Sequence, residues 1–130
     1  MAHDTQVTGV VSELTAAKLL MTSLGYEVAK PFAPEVYDLL ARDPVNGKAY
    51  RIQVKTLRVR TDRDNALVVY ARKGNGKPYT KSDCDYIIGV KGNRAYMFEC
   101  EGLTEYWSTE QTSKKRWILL ENNESDSKVV

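Results

Sequence analysis

Four polar side chains have the types that metal-assisted phosphoryl chemistry requires: Glu13, Asp38, Gln53 and Lys55. Each lies in a segment that is otherwise apolar or regular, and the last two are spaced two residues apart. Carboxylate and amide oxygens are hard ligands that suit Mg²⁺, and a bound Mg²⁺ lowers the pKa of a coordinated water. An ammonium group beside the ion stabilises charge that develops on a phosphate. Together the four residues therefore fit hydrolysis of a phosphodiester.

The first element that must position them is a helix predicted over residues 9–24. Thr8 is a suitable N-cap and Gly25 a suitable stop, and Glu13 lies at the rim of the apolar stripe. We expect the stripe to face the core because its members recur at three- and four-residue steps. They are Val10, Leu14, Ala17, Leu20, Met21 and Leu24.

Strands are predicted for most of the remaining chain from runs of apolar and β-branched residues between turn signals. They cover residues 37–43, 49–59, 66–71, 85–90 and 94–99, after a short apolar segment at 26–32. A glycine- and lysine-rich loop is predicted over residues 73–81. The type of the apolar segment 117–120 stays open.

The dipeptide Asn46-Gly47 is a strong signal for a two-residue hairpin turn. With these residues at the centre of the turn, Asp38 lies opposite Lys55. Alternation then places Asp38, Gln53 and Lys55 on one face of the sheet, with cross-strand neighbours about 5 Å apart. Unless a bulge shifts the register, we expect the three side chains to lie within reach of one ion, with the helix carboxylate nearby.

Length and composition favour one globular domain. The chain has 130 residues, of which 42% are hydrophobic and 28% charged, and these are ordinary values for a globular protein. We predict a single domain over residues 1–120 and a disordered, polar tail over 121–130. The net charge of +2 is too small to argue by itself for a nucleic-acid partner.

Several classes of site and location are disfavoured. The two cysteines have no zinc-site spacing and His3 is the only histidine, which makes a zinc site or a Ser-His-Asp triad improbable. No P-loop motif occurs. We expect reduced thiols and a cytoplasmic location, because no secretory signal is visible. No segment approaches about 18 apolar residues, so we expect no membrane span.

The order of the motifs resembles the PD-(D/E)xK nuclease superfamily. The matching positions are Glu13 in Val-Ser-Glu-Leu, Asp38 in Val-Tyr-Asp-Leu-Leu, and Gln53-Val54-Lys55, within residues 9–99. The chain is most similar to archaeal-type Holliday junction resolvases and to the intron-encoded homing endonucleases of this superfamily. The resemblance implies an α/β, restriction-endonuclease-like fold, a mixed central sheet with flanking helices, usually as a homodimer.

By the same resemblance, Asp38, Gln53 and Glu13 would bind or orient Mg²⁺, for which Mn²⁺ would substitute, and Lys55 would be catalytic. Two positions depart from the pattern. Gln53 stands where glutamate is usual, as in some homing endonucleases, and an amide should bind a metal more weakly. The serine that resolvases often carry shortly before the strand aspartate is absent, which weakens the resolvase assignment.

We therefore expect a Mg²⁺-dependent DNA endonuclease. Branched DNA such as a Holliday junction is favoured as substrate, because a single domain has little room for extended base readout. The alternatives are a homing or restriction-like enzyme that cuts a specific duplex, and an inactive nuclease fold that only binds DNA. Contacts to DNA are expected from basic and aromatic residues, although a lysine-rich loop is also compatible with plain solvation. These residues are Arg58, Arg60, Lys73, Lys77, Tyr79 and Lys81.

Overall fold

The computed structural model describes residues 4–121. It begins with helix α1, and strands make up most of the chain after it. The elements are α1 (Asp4–Leu24), β1 (Glu27–Ala29), β2 (Leu39–Arg42), β3 (Ala49–Thr56), β4 (Arg58–Arg60), a 3₁₀ turn (Thr61–Arg63), β5 (Ala66–Tyr70), β6 (Tyr86–Lys91), β7 (Arg94–Glu99), β8 (Glu105–Ser108), α2 (Glu110–Arg116) and β9 (Ile118–Glu121). Glu121 ends a strand, so it is not part of a tail, and the remainder of the predicted tail lies outside the described residues.

The strands form two sheets. The central sheet has the order β1-β2-β3-β6-β7-β9, and the smaller sheet has the order β4-β5-β8. The pair β3–β6 is parallel and the other pairs of the central sheet are antiparallel. The predicted α/β class with a mixed central sheet is therefore confirmed. Only one face of that sheet is covered by a long helix, because the small sheet packs on the other face.

Each face of the central sheet has its own core. Beneath α1, the helix residues Ala16, Leu19 and Leu20 pack on apolar side chains of the sheet, which include Leu39, Ile52, Val54 and Ile88. Between the sheets, Leu67, Val69 and Tyr106 pack on a second set, which includes Ile87, Tyr96 and Phe98. The odd and even residues of β3 and β6 therefore serve different layers, as the two-residue period of a strand requires.

The two sheets are in close contact at Gly89 of β6. A Cβ atom at this position would lie 2.5 Å from Cγ2 of Val69 and 3.5 Å from two side-chain atoms of Leu57. Since Val69 is fully buried and branched at Cβ, it has little freedom to move away. Glycine at this position is what allows the small sheet to pack closely on the central one.

Helix α1 packs through a face that only partly matches the predicted one, because Ala17, Leu20 and Leu24 of the predicted stripe do pack on the core. Its buried residues are Ser12, Ala16, Leu19 and Leu20, whereas Val10, Leu14 and Met21 of the predicted stripe are 57%, 65% and 50% exposed. The small residues let the helix approach the sheet, and the Ser12 and Thr56 hydroxyls are hydrogen-bonded at 2.9 Å.

Both ends of α1 were predicted, with different success. The helix begins at Asp4, so Thr8 lies inside it and is not its N-cap. The stop at Gly25 is confirmed. Gly25 adopts a φ of 71°, and its N–H donates to the carbonyl of Met21 at 3.1 Å. A left-handed glycine that satisfies a last-turn carbonyl is a common way to end a helix.

The β2–β3 hairpin has a longer loop than predicted. Asp43 N–H donates to Lys48 O at 2.9 Å, so the loop comprises residues 44–47. The Asp43 carboxylate accepts from Val45 N–H at 2.8 Å, which starts the turn earlier than Asn-Gly alone predicts. The register therefore pairs Leu39 with Ile52, and the predicted pairing of Asp38 with Lys55 is wrong.

The other strand predictions fare well, with one division that the sequence did not predict. The strands at 66–71, 85–90 and 94–99 are confirmed to within one residue at each end, and most of segment 117–120 is strand β9. The predicted strand 49–59 is split at Leu57, where the chain leaves the central sheet for the small one. Strand β8 and helix α2 were not predicted.

Helix α1 is long and apolar enough to span a membrane by length and composition alone, with a mean hydropathy of 1.2 over its most apolar 18-residue window. Hydropathy therefore does not support the expectation of no span. Core helices of globular proteins meet the same criterion, and Ala16, Leu19 and Leu20 are packed against the sheet. The two cysteines are buried free thiols, as expected.

Candidate active site

Asp38 lies immediately before β2 and is tied to the edge of β3. Its N–H donates to Ile52 O at 2.8 Å, and its Oδ2 accepts from Val54 N–H at 2.8 Å. Since Leu39 also pairs with Ile52, two residues oppose one, as in a β-bulge. The side chain therefore extends along the strand edge, and simple alternation does not describe its direction.

The environment of Asp38 raises the pKa of its carboxyl group. Burial is the main cause, and the negative charge of Glu13 adds to it. The Val54 N–H and the ammonium groups of Lys30 and Lys55 act in the opposite direction. Two carboxylates and two ammonium groups therefore interact around one strand edge.

Glu13 reaches this edge from α1. It lies beside the buried face of the helix, and its side chain is 24% exposed. Its Oε1 forms an ion pair with Nζ of Lys30, the residue that follows β1. Sequence reasoning missed Lys30, because the surrounding segment is short and apolar. A cation directly before Pro31 at the end of such a segment was the one available signal.

Lys55 and Gln53 lie on the face of β3 away from α1, because Ile52 and Val54 alternate with them and pack beneath the helix. The Lys55 Nζ lies 5.1 Å from the ring centroid of Tyr79. Gln53 is only 6% exposed, and its Nε2 makes a long contact of 3.5 Å with Val54 O. The predicted shared face of these two residues is therefore observed.

Tyr79 connects Lys55 with Asp38. Its side chain belongs to the core between the sheets and is 8% exposed. Burial raises the pKa of the Tyr79 hydroxyl, and the charge of Asp38 adds to this effect. The ring thus packs beneath the ammonium of Lys55, and the Tyr79 hydroxyl interacts electrostatically with the Asp38 carboxylate. A buried ring in this position is better suited to orienting Lys55 than to contacting DNA from the surface.

The loop that carries Tyr79 is fastened to β3 by Arg51. The Arg51 guanidinium donates to the Asp85 carboxylate and to the carbonyls of Ser82 and Lys81, at 2.7 to 3.2 Å. These hydrogen bonds hold the pKa of Asp85 below its ordinary value. The strand that supplies Lys55 therefore also fixes the segment that supplies its aromatic neighbour.

The other predicted DNA-contacting residues lie on the surface in different states. Arg58, Lys77 and Lys81 are exposed. Lys73 is paired with Asp83 at 2.8 Å. Arg60 forms an ion pair with Asp62 and a hydrogen bond with the Tyr70 hydroxyl. Their roles in binding remain predictions.

An open groove lies beside Asp38 and gives a polymer access to the candidate site. Its lining residues include Lys30, Pro31, Phe32, Pro34 and Tyr37.

The donor set is compatible with a hard divalent ion. Within residues 4–121 no cluster of three or more His, Cys, Asp or Glu side chains suits a metal. Mg²⁺, however, is usually held by one or two carboxylates, together with waters and substrate phosphates. Asp38 and Glu13 can supply the carboxylates, and Oδ1 of Asp38 accepts no hydrogen bond from the part of the chain described. Gln53 would be at most a further, neutral ligand.

No protein-family model and no curated protein sequence matches this chain. Among solved structures, the fold is similar to that of a bacterial homing endonuclease, I-Ssp6803I. The similarity covers 88% of this chain and 89% of that one, with a TM-score of 0.68 and 20% sequence identity. The arrangement of a mixed central sheet and a packed helix is therefore one that a homing endonuclease also adopts.

Proposed function

We propose that this protein is a metal-dependent DNA endonuclease that cuts duplex DNA at a specific site. The observation that carries the proposal is that the charges of Glu13 and Lys55 both act on the carboxyl group of Asp38, immediately before β2. These are the groups that phosphodiester hydrolysis requires, and they come from three different elements. The likeness in fold to a homing endonuclease supports the same conclusion.

In the proposed reaction Asp38 and Glu13 would hold the divalent ion, and Gln53 would add an uncharged contact. When bound, the ion would activate a water and neutralise phosphate charge. Lys55 donates hydrogen bonds to a non-bridging phosphate oxygen, whose negative charge increases in the transition state. Tyr79 limits the positions that the Lys55 ammonium can take. Lys30 holds the Glu13 carboxylate through an ion pair, which restricts the positions from which it would bind the ion.

A specific duplex now replaces branched DNA as the favoured substrate. Two observations support this change: the neighbour in fold is a homing endonuclease, and Gln53 is a residue found in that branch of the nuclease superfamily. We also propose that the active form is a homodimer, since one site cleaves one strand and a duplex has two.

The test is cleavage of three substrates: a randomised duplex library, a linear duplex of arbitrary sequence, and a four-way junction. Each is incubated with Mg²⁺, with Mn²⁺ and with EDTA, and Asp38→Ala is the matched inactive control. We expect selected library members to be cut with either metal and not with EDTA. Preferential cutting of the junction would restore the resolvase assignment, and binding without any cutting would indicate an inactive nuclease fold.

A further inference from the structure

The outward face of α1 carries large apolar side chains that the fold does not bury. Val7, Val10, Val11, Leu14 and Met21 are each about half exposed or more, up to 65% for Leu14. A surface helix of a globular protein normally has a single apolar stripe, which faces the core. In α1 the stripe that faces the core is formed by Ala16, Leu19 and Leu20. The outward apolar residues are therefore a second stripe. A contiguous apolar strip of this kind marks an interaction surface.

The strip has the spacing of a helix-pairing seam. Val7, Val11, Leu14 and Met21 follow the alternating three- and four-residue steps of a heptad repeat, with Lys18 at the position between the last two. It continues sideways into a groove formed by α1, the end of β3 and β6, where Leu57 and Val90 are among the lining residues. The apolar surface is therefore wider than one row of side chains.

The strip is also symmetric about its centre. An antiparallel copy related by a two-fold axis at Leu14 places Val7 opposite Met21 of the second copy, and Val11 opposite Ala17. Lys18 then faces Val10, where its aliphatic stem can pack while the ammonium reaches water. The two Lys18 side chains therefore do not face each other. A closed two-fold dimer requires a self-complementary patch of this kind.

We propose that the outward face of α1 binds the same face of a second copy of this chain, antiparallel and centred on Leu14. The paired segment is about 30 Å long, from the rise of a 21-residue helix. Paired helices of this kind lie about 8–10 Å apart. Glu13 directly precedes Leu14, so the axis brings the candidate sites of the two copies to either side of one helix pair. That consequence rests on the proposed function, whereas the association does not.

The first test is the mass of the full chain by sedimentation, without DNA, over the micromolar range. We expect a dimer for the wild type, a monomer for Leu14→Asp, and a dimer for Val45→Asp. Val45 is 95% exposed in the hairpin loop, so it receives the same kind of change away from the strip. Because Leu14 contributes little to the core, circular dichroism should show Leu14→Asp folded.

The second test reports the direction of the pair without relying on a disruptive variant. Glutathione disulfide serves as the oxidant, and it is reduced as two protein thiols lose two electrons and two protons. The double variant Val7→Cys/Met21→Cys should form covalent dimers, whereas Val7→Cys alone should not. The natural cysteines are buried, so they do not compete.

The outcomes separate this inference from the proposed nuclease activity. A wild-type chain that remains monomeric throughout the concentration range overturns the dimer, even if the protein cuts DNA. The same holds for a monomer that co-sediments with phosphatidylglycerol vesicles, which would assign the strip to a lipid surface. Cross-linking of Val7→Cys alone would overturn the antiparallel arrangement. A dimer with no cleavage leaves the interface intact and rejects the enzyme.

Discussion

The carboxylate of Asp38 accepts a hydrogen bond from the main-chain N–H of Val54 at 2.8 Å, at the edge of β3 next to the first residue of β2. The side chain thus occupies the place of a strand partner. This contact lies at one end of the β2–β3 pairing, where the charges of Glu13 and Lys55 also act on the carboxyl group. The predictions below test what that position does.

Asp38→Asn should abolish metal-dependent cleavage and also stabilise the folded chain at neutral pH. The folded-state pKa of Asp38 is raised, mainly by burial, so the folded protein holds this proton more tightly than the unfolded chain. Ionised Asp38 therefore costs stability, and the cost develops as pH rises above about 4, the ordinary aspartate value. Asparagine keeps an acceptor for Val54 N–H.

The stability difference between wild type and Asp38→Asn is measured as the difference in melting temperature in EDTA, from acidic to neutral pH. The advantage of Asp38→Asn should vanish under acidic conditions. Asp62→Asn is the matched control with the opposite sign, because Arg60 lowers the pKa of Asp62 to about 2. In the wild type, ionised Asp62 therefore makes a small stabilising contribution, which is present at neutral pH and is lost as pH falls. If the two variants shift the melting temperature in the same direction at neutral pH, the assigned environment of Asp38 is wrong.

Lys55→Met should reduce cleavage by about 10²-fold or more, since it removes a group that stabilises charge in the transition state. Binding of the same duplex should change little, because the methionine keeps much of the aliphatic stem. Single-turnover cleavage and a separate binding titration give the two numbers. Lys48→Met, at an exposed loop lysine, is the control. Comparable cleavage rates for both variants would remove Lys55 from the reaction.

Tyr79→Phe should cleave at nearly the wild-type rate, whereas Tyr79→Leu should lose about 2- to 30-fold. The reason is that phenylalanine keeps the ring beneath the Lys55 ammonium, and such contacts contribute about 0.5–2 kcal/mol. The decisive comparison is cleavage in the Lys55→Met background, where the ring should no longer matter. A full additional loss there would show that Tyr79 acts through folding alone.

Gly89→Ala should destabilise the fold by about 1–3 kcal/mol, the usual cost of overpacking a core. The added methyl group would meet Val69 at 2.5 Å and force the two sheets apart. Gly74→Ala is the control, since no atom lies within 4 Å of its added Cβ and no positive φ is required. Denaturant unfolding compares them, and equal midpoints would mean that the sheets are less tightly packed than described.

The sequence specified the local elements and the chemistry of the site. Runs of apolar and β-branched residues located five strands, and the alternation of Gln53 and Lys55 with Ile52 and Val54 placed the polar pair on one face. Such patterns are local, because side-chain period and turn residues act over a few positions. The chemical type of each candidate site residue is likewise read directly from the sequence.

Tertiary structure decided where those elements meet. Periodicity alone could not predict the packed face of α1, because both sides of the helix carry apolar residues. The face with the small residues Ser12 and Ala16 is the packed one, since small side chains allow a closer approach to the sheet. Nor could the sequence give the bulge at Asp38 or the four-residue hairpin loop that sets the register of β2 on β3. The contributions of Lys30 and Tyr79 come from segments far apart in the chain, and only packing brings them to one edge.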